Sequence, residues 1–261
     1  MITSFQNKEI KNLLKLKKSR ERTKSGLILI EGRHEISLAI KAGLKFLKLF
    51  RSSDFNSDNN FRINEKVFED VYTLNEELFK KISNRENPDG YLAIAKKPKN
   101  ELGSLKLGEN PLVVIMEGLE KPGNIGAIIR SADAVKVDAI IIADEKTEIY
   151  NPNAIRASLG AIFTNQLALA STEELINWLK INNFSSFALT PHTKQLYTDQ
   201  DYTGPTALIV GTEHEGISAE LLSAVEHQIR IEMRGEIDSL NASVSTAVVL
   251  FEVDRQRHLK K

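Results

Sequence analysis

The sequence predicts an α/β protein in two parts, the second built on a parallel sheet covered on both faces. Three observations carry this. From residue 112 onward, short continuous apolar runs alternate with helical patterns, as strands buried on both sides require. Before them, residues 96–109 are polar, contain Pro98 and Gly103, and read as a linker. The 261 residues are 41% apolar and 27% charged, enough to bury one large core or two small ones and too apolar for bulk disorder.

In the first part, residues 8–20 suit a helix with Ile10, Leu13, Leu14 and Leu16 as a partial apolar stripe. Leu27-Ile28-Leu29-Ile30 reads as a short buried strand ended by Glu31-Gly32. Residues 33–42 suit a helix and 46–50 an alternating strand, while 51–60 are polar and read as a loop. A helix is expected at 75–83, a turn at Asn87-Pro88-Asp89-Gly90 and a strand at 91–95. After the linker, strands at 112–116 and 139–143 flank a helix at 125–134. Residues 172–182 are helical, 186–189, 207–210 and 229–231 strand-like, and 217–225 helical, before a long helix from about 241 to 257. The expected domains are therefore 1–100 and 108–261, and no internal repeat or low-complexity segment is visible.

Composition excludes several chemistries. The absence of cysteine removes disulfides, thiolate metal sites, iron–sulfur clusters and cysteine nucleophiles. No apolar run approaches the ~20 residues of a membrane span. The lysine-rich N-terminal stretch lacks the basic-then-apolar order of a secretory signal, so a soluble cytoplasmic protein is expected. The net charge is zero, from 35 basic and 35 acidic residues. That balance hides an asymmetry. Residues 1–50 hold twelve Lys and Arg against four Asp and Glu, a net of +8, and the remaining 211 residues carry −8. Lys15, Lys17, Lys18, Arg20, Arg22 and Lys24 form the densest basic stretch. It suits either a solvated face or a surface that displaces counterions from a nucleic-acid backbone.

Ligands of open α/β sheets bind beyond the carboxyl ends of strands. Three segments after such strands are rich in glycine and small polar residues. The first runs from Glu117 to Arg130 and contains Asn124, Gly126 and Arg130; alone, it reads as a turn followed by a surface arginine. It lacks the Walker lysine and the Gly-x-Gly-x-x-Gly fingerprint. The second is Gly211-Thr212-Glu213-His214-Glu215-Gly216-Ile217-Ser218, where successive side chains diverge, so a metal site is not expected; Ser218 suits a helix cap. In the third, from Ile231 to Ser243, Ser239 or Asn241 can cap the final helix. Val244, Val248 and Phe251 then form a stripe fit for core or interface.

Together and in this order, the three segments resemble the motifs of the SpoU/TrmH family of RNA 2′-O-ribose methyltransferases, of the SPOUT class. The pattern Asn-x-Gly-x-x-x-Arg stands at Asn124, Gly126 and Arg130, Gly-x-Glu-x-x-Gly at Gly211, Glu213 and Gly216, and Ser-Leu-Asn-x-Ser at Ser239, Leu240, Asn241 and Ser243. Asn151-Pro152 with Arg156, Ser158 and Gly160 is a further family-like stretch. Glu232 departs from the proline usual before the methionine. The resemblance implies a C-terminal SPOUT domain with a parallel sheet and a deep trefoil knot, which general chain topology would have argued against. It also implies a small N-terminal α/β, L30e-like domain that binds the RNA substrate.

By the same resemblance, S-adenosylmethionine (AdoMet) is the cofactor, held by Thr190, Gly211, Ile231, Met233, Leu240 and Ser243. The implied catalytic residues are Arg130, Asn124, Glu213, Ser239 and Asn241. Lys15, Lys17, Lys18, Arg20, Arg22 and Arg156 would contact RNA, with rRNA ranked ahead of tRNA, and the protein would act as a homodimer without a metal. A guanidinium stays protonated, so Arg130 is expected to bind substrate phosphate and polarise the hydroxyl rather than act as a base. Two rival classes stand beside this reading. One is an RNA-binding protein of the same fold without catalysis. The other is a Rossmann-type nucleotide enzyme, against which the missing glycine fingerprint counts.

Overall fold

The computed structural model describes residues 1–53 and 63–258, and the chain divides into two compact units. One comprises Met1–Lys99 with Tyr150–Thr164; the other comprises Asn100–Ile149 and the chain from Asn165 onward. The loop expected at 51–60 lies mostly outside the described residues.

The first unit starts with α1 (Lys8–Lys15), whose N-cap Asn7 accepts a hydrogen bond from the backbone N–H of Glu9. Then come α2 (Ser19–Ser25), β1 (Leu27–Glu31), α3 (Arg33–Lys41) and β2 (Phe46–Ser52), followed by β3 (Asp70–Leu74), α4 (Glu76–Ile82) and β4 (Tyr91–Lys96). The strand order is β1-β4-β2-β3, with β4 antiparallel to β1 and β2 and with β3 parallel to β2. Ile10, Leu13 and Leu16 bury their side chains in one cluster with Leu29, Phe50, Phe79 and Leu92, which explains the N-terminal apolar stripe.

The expected helix at 8–20 is two helices. The reason is Arg22, only 1% exposed, whose Nη1 donates to the carbonyls of Leu16 at 2.8 Å and Lys17 at 2.9 Å. These groups lie just past the end of α1, where carbonyls have no partner within the helix. A buried cation thus holds the break open and fixes where the second helix starts. β3 went unread because Asp70-Val71-Tyr72-Thr73-Leu74 is an edge strand with little burial.

In the second unit, β5 (Leu112–Glu117) leads through α5 (Pro122–Ala134) to β6 (Ala139–Ala143). α5 begins three residues earlier than its apolar pattern, because Pro122 suits the first helical position. The chain next contributes α6 (Pro152–Ala157) and a 3-10 turn at Ala161–Phe163 to the first unit. It resumes with β7 (Leu167–Ala170), α7 (Thr172–Ile181), β8 (Ser185–Leu189), β9 (Thr206–Val210), α8 (Ala219–Ala224), β10 (His227–Ile229) and α9 (Ala242–His258). All six strands are parallel, in the order β10-β8-β9-β5-β6-β7, as the apolar runs implied. β10 ends two residues before the expected strand, leaving Ile231 in the loop after it. β7, a four-residue edge strand, and α6 were not anticipated.

Both faces of the central strands are buried. Val113, Ile115, Ile141 and Ile209 pack with Leu175 and Leu221, and Leu102, Leu105 and Leu107 lie against the same cluster. The segment expected as a free linker therefore packs over residues 102–107. Val114, Met116, Ile140 and Leu208, of the opposite parity, are equally buried, and α5 packs against α9. The C-terminal end of α9 is anchored by Arg257, which donates to the carbonyls of Tyr202, Asn110, Pro111 and Gly204 at 2.7–3.3 Å. Burial lowers the pKa of this guanidinium from its ordinary value, with Asp138 opposing.

Candidate functional site

The loops leaving β5, β8, β9 and β10 all start from carboxyl ends of neighbouring or near-neighbouring parallel strands. Those after β8, β9 and β10 line a cavity of about 240 Å³, and the loop after β5 joins them only through its bonds to Glu213. Thr190, Gly211, Ile231, Met233 and Leu240, five of the six residues expected to hold the cofactor, line it. Val210, Ile217 and Leu222 add apolar wall, and His192, Asp238 and Ser245 add polar rim. Ser243 is not among the lining residues. Its hydroxyl donates to Asn241 Oδ1 at 2.6 Å, and Ser245, two residues on, lines the cavity instead.

The loop after β9 folds back on itself. Thr212 N–H donates to the Gly216 carbonyl at 2.9 Å, and Gly216 has φ of 72°. A Cβ at Gly211 would lie 2.1 Å from the Gly216 oxygen and 2.5 Å from the Ile217 nitrogen. Only glycine permits this closure, because the obstructing atoms are backbone. Ser218 caps α8 by accepting from Leu221 N–H.

At the loop's tip, Glu213 gathers the other two segments. Asn124 Nδ2 donates to Glu213 Oε1 at 2.7 Å, Asn241 Nδ2 donates to the same oxygen at 2.5 Å, and Lys121 forms an ion pair with Oε2. Asn241 Nδ2 also reaches Asn124 Oδ1 at 3.2 Å. The amide orientations follow from the backbone. Ser243 N–H donates to Asn241 Oδ1 at 3.0 Å, so the Asn241 amino group must face Glu213 and Asn124. Asn124 Oδ1 then accepts, leaving its own amino group for the carboxylate. Hydrogen bonds from Lys121 and Asn124 hold the Glu213 carboxyl below its ordinary pKa.

Of the residues expected to be catalytic, the structure thus joins Asn124, Glu213 and Asn241 in one network. Ser239 lines the cavity outside that network. Arg130 is exposed on α5, is not among the cavity-lining residues, and its side chain forms no hydrogen bond or ion pair among the described residues. Lys121 was not singled out from the sequence. Its place just before Pro122 marks the residue preceding α5, but its partner lies 92 positions away.

In the first unit, Lys15, Lys18, Arg20 and Arg156 are exposed. Lys17 is half-buried, and burial lowers its pKa against the opposing pull of Glu31. Arg22 departs from the expected RNA-contacting role: it is buried, with its guanidinium turned onto the Leu16 and Lys17 carbonyls. Among the described residues no helix is long and apolar enough to cross a membrane, and no cluster of metal-ligating side chains occurs.

The SpoU rRNA Methylase family model matches residues 111–251, and an MRM3-like substrate binding domain model matches residues 7–93. A solved RNA 2′-O ribose methyltransferase is 38% identical, with a TM-score of 0.85 and 99% of each chain covered. An AdoMet-bound rRNA methyltransferase from Sinorhizobium meliloti is 28% identical, with a TM-score of 0.88, covering 100% of this chain and 98% of that one. A 23S rRNA (guanosine(2553)-2′-O)-methyltransferase of Bacillus subtilis (strain 168) is 26% identical over 254 residues, covering 97% of this chain and 98% of the relative.

Proposed function

The chain belongs to the SpoU rRNA Methylase family, and we propose that it transfers a methyl group from S-adenosylmethionine to a ribose 2′-hydroxyl of rRNA. The observation that carries this is that the second and third motif loops line one cavity while Glu213 ties the first loop to them. The cavity fits the cofactor. Its apolar wall suits an adenine, backbone groups of the loops supply donors and acceptors, and Gly211 lets the lining loop close on Gly216 and Ile217.

When bound, AdoMet supplies an electrophilic methyl group on a positive sulfonium. The protein's part is to place a ribose hydroxyl in line with it and to ease removal of the hydroxyl proton. RNA alone carries that hydroxyl, so the reaction itself selects against DNA. Arg130 binds the substrate phosphate and polarises the 2′-hydroxyl, in keeping with an exposed side chain that has no partner among the described residues. Asn124 and Asn241, both held by Glu213, keep the first and third motif loops in place beside the cavity. Ser239, at the cavity edge, orients the substrate.

The first unit is the substrate-binding domain, of the L30e-like kind, and the second carries the methyltransferase fold with its trefoil knot. Lys15, Lys17, Lys18, Arg20 and Arg156 hold RNA phosphates without choosing the nucleotide. Replacing Lys15, Lys18 and Arg20 together by alanine is expected to weaken RNA binding and flatten its salt dependence. Three phosphate contacts correspond to roughly 2–3 units of slope in log K against log salt concentration. An unchanged slope in filter-binding titrations would return these residues to the role of a solvated face.

A homodimer completes the reading. Val244 and Phe251, 47% and 53% exposed on α9, leave an apolar stripe on a helix already packed against α5. Light scattering should give twice the chain mass, and Phe251→Glu should give the monomer. An rRNA substrate is in keeping with residence in the cytoplasm.

Transfer of tritiated methyl from AdoMet to rRNA, followed by alkaline hydrolysis, tests the function directly. A 2′-O-methyl group blocks cleavage of the adjacent phosphodiester, so the label should appear in alkali-resistant dinucleotides. RNA binding with no methyl transfer would favour the non-catalytic alternative.

A further inference from the structure

β5 ends in Glu117, a carboxylate only 6% exposed that opens the first segment but stands outside its Asn-x-Gly-x-x-x-Arg pattern. A buried carboxylate must find donors, and the donors it finds are specific. Ser218 N–H donates to Oε2 at 2.7 Å and the Ser218 hydroxyl donates to Oε1 at 2.6 Å. The Thr172 hydroxyl lies 3.1 Å from Oε1 and 2.6 Å from Asp144 Oδ2, at the start of α7. Ser218 is therefore gripped by both of its donors, while its oxygen also receives Leu221 N–H to start α8.

Ser218 sits between Ile217 and Leu222, both of which line the cavity, and lies two residues after the closed loop Gly211–Gly216. The loop is thus held at two places. Glu213 holds its tip against the other motifs, and Glu117 holds its base against the central strand of the sheet.

We propose that Glu117 is a positioning residue for the AdoMet cavity: by clasping Ser218 it sets the wall formed by Ile217 and Leu222 and the path of the Gly211–Gly216 loop. This rests on the reading of the cavity as the AdoMet site. The clasp depends on reach and on hydrogen bonds rather than on charge. Glutamine has the same reach, and its amide can accept from Ser218 N–H and donate to the Ser218 oxygen. Aspartate keeps the charge but is one methylene short.

The test is AdoMet affinity by calorimetry on the full chain, at a temperature well below unfolding, for Glu117→Gln, Glu117→Asp and Glu117→Ala. Positioning predicts a Kd within about threefold of the parent for Glu117→Gln and raised by about tenfold or more for Glu117→Asp and Glu117→Ala. At saturating AdoMet, kcat for Glu117→Asp should return to within about threefold of the parent, and RNA affinity should not change. If Glu117→Ala does not fold, the Gln and Asp variants carry the comparison. The opposite order, with Asp mild and Gln severe, would assign Glu117 an electrostatic role and overturn the proposal. Equal loss of RNA and AdoMet affinity would overturn it as well, as a general loss of structure. Failure of the parent protein to bind AdoMet would instead overturn the functional reading and leave the clasp itself as a structural fact.

Discussion

Gly211→Ala should abolish useful AdoMet binding, raising Kd by about 100-fold while leaving RNA affinity within about twofold. The added Cβ would meet the Gly216 carbonyl oxygen at 2.1 Å, its carbon at 2.3 Å and the Ile217 nitrogen at 2.5 Å. None of these can rotate away, since all are backbone. The loop would have to open, breaking the hydrogen bond from Thr212 to Gly216 and displacing Ile217 from the cavity wall. Overpacking of this kind costs about 1–3 kcal/mol, and the upper end corresponds to roughly two orders of magnitude in affinity. Isothermal titration of both ligands separates the outcomes. An alanine variant with parental AdoMet affinity would mean that the loop is not the cofactor's seat.

Arg130→Lys should lower kcat by about 10²–10³, with AdoMet affinity unchanged. Arg130 is not among the cavity-lining residues, so the cofactor should not sense the change. The loss should fall on the step in which a planar fork of donors holds a phosphate and a hydroxyl together, which a lysine point charge cannot copy. The magnitude follows that of removing one preorganised donor from a developing anion. Single-turnover methyl transfer at saturating RNA and AdoMet isolates this step. Undiminished turnover by the lysine variant would reduce Arg130 to a general source of positive charge.

Much of the second unit can be read from the chain because its strands are buried on both faces. Runs such as Val113-Val114-Ile115-Met116 and Ile140-Ile141-Ile142 leave no other local reading, and the loops that follow them carry the site. β3 escapes detection because an edge strand need not be continuously apolar, and β7 because its apolar run is only four residues long. The break between α1 and α2 escapes for another reason. Its cause is a guanidinium five to six residues downstream whose burial depends on tertiary packing. Within the site, Asn124, Glu213 and Asn241 stand out by spacing and resemblance. Lys121 and Glu117 do not, since each acquires its role from a partner about a hundred positions away. Arg22 shows the converse. It stands in a basic run and looks like its neighbours, yet it is the one whose charge is buried.

The excursion of Tyr150–Thr164 into the first unit sets an order of events during synthesis. α6 packs on β1 and the 161–163 turn packs on α3, and a Cβ at Gly160 would lie 2.9 Å from Leu38 Cδ1. Residues 1–99 emerge from the ribosome long before these partners exist. The first unit must therefore wait, with that side of α3 and β1 uncovered, until residue 164 has left the exit tunnel. By then β5, α5 and β6 are already outside and lack β8 and β9. The first unit can then close while the second still waits for β8, β9 and α9, so until residue 164 emerges the nascent chain holds two unfinished cores at once.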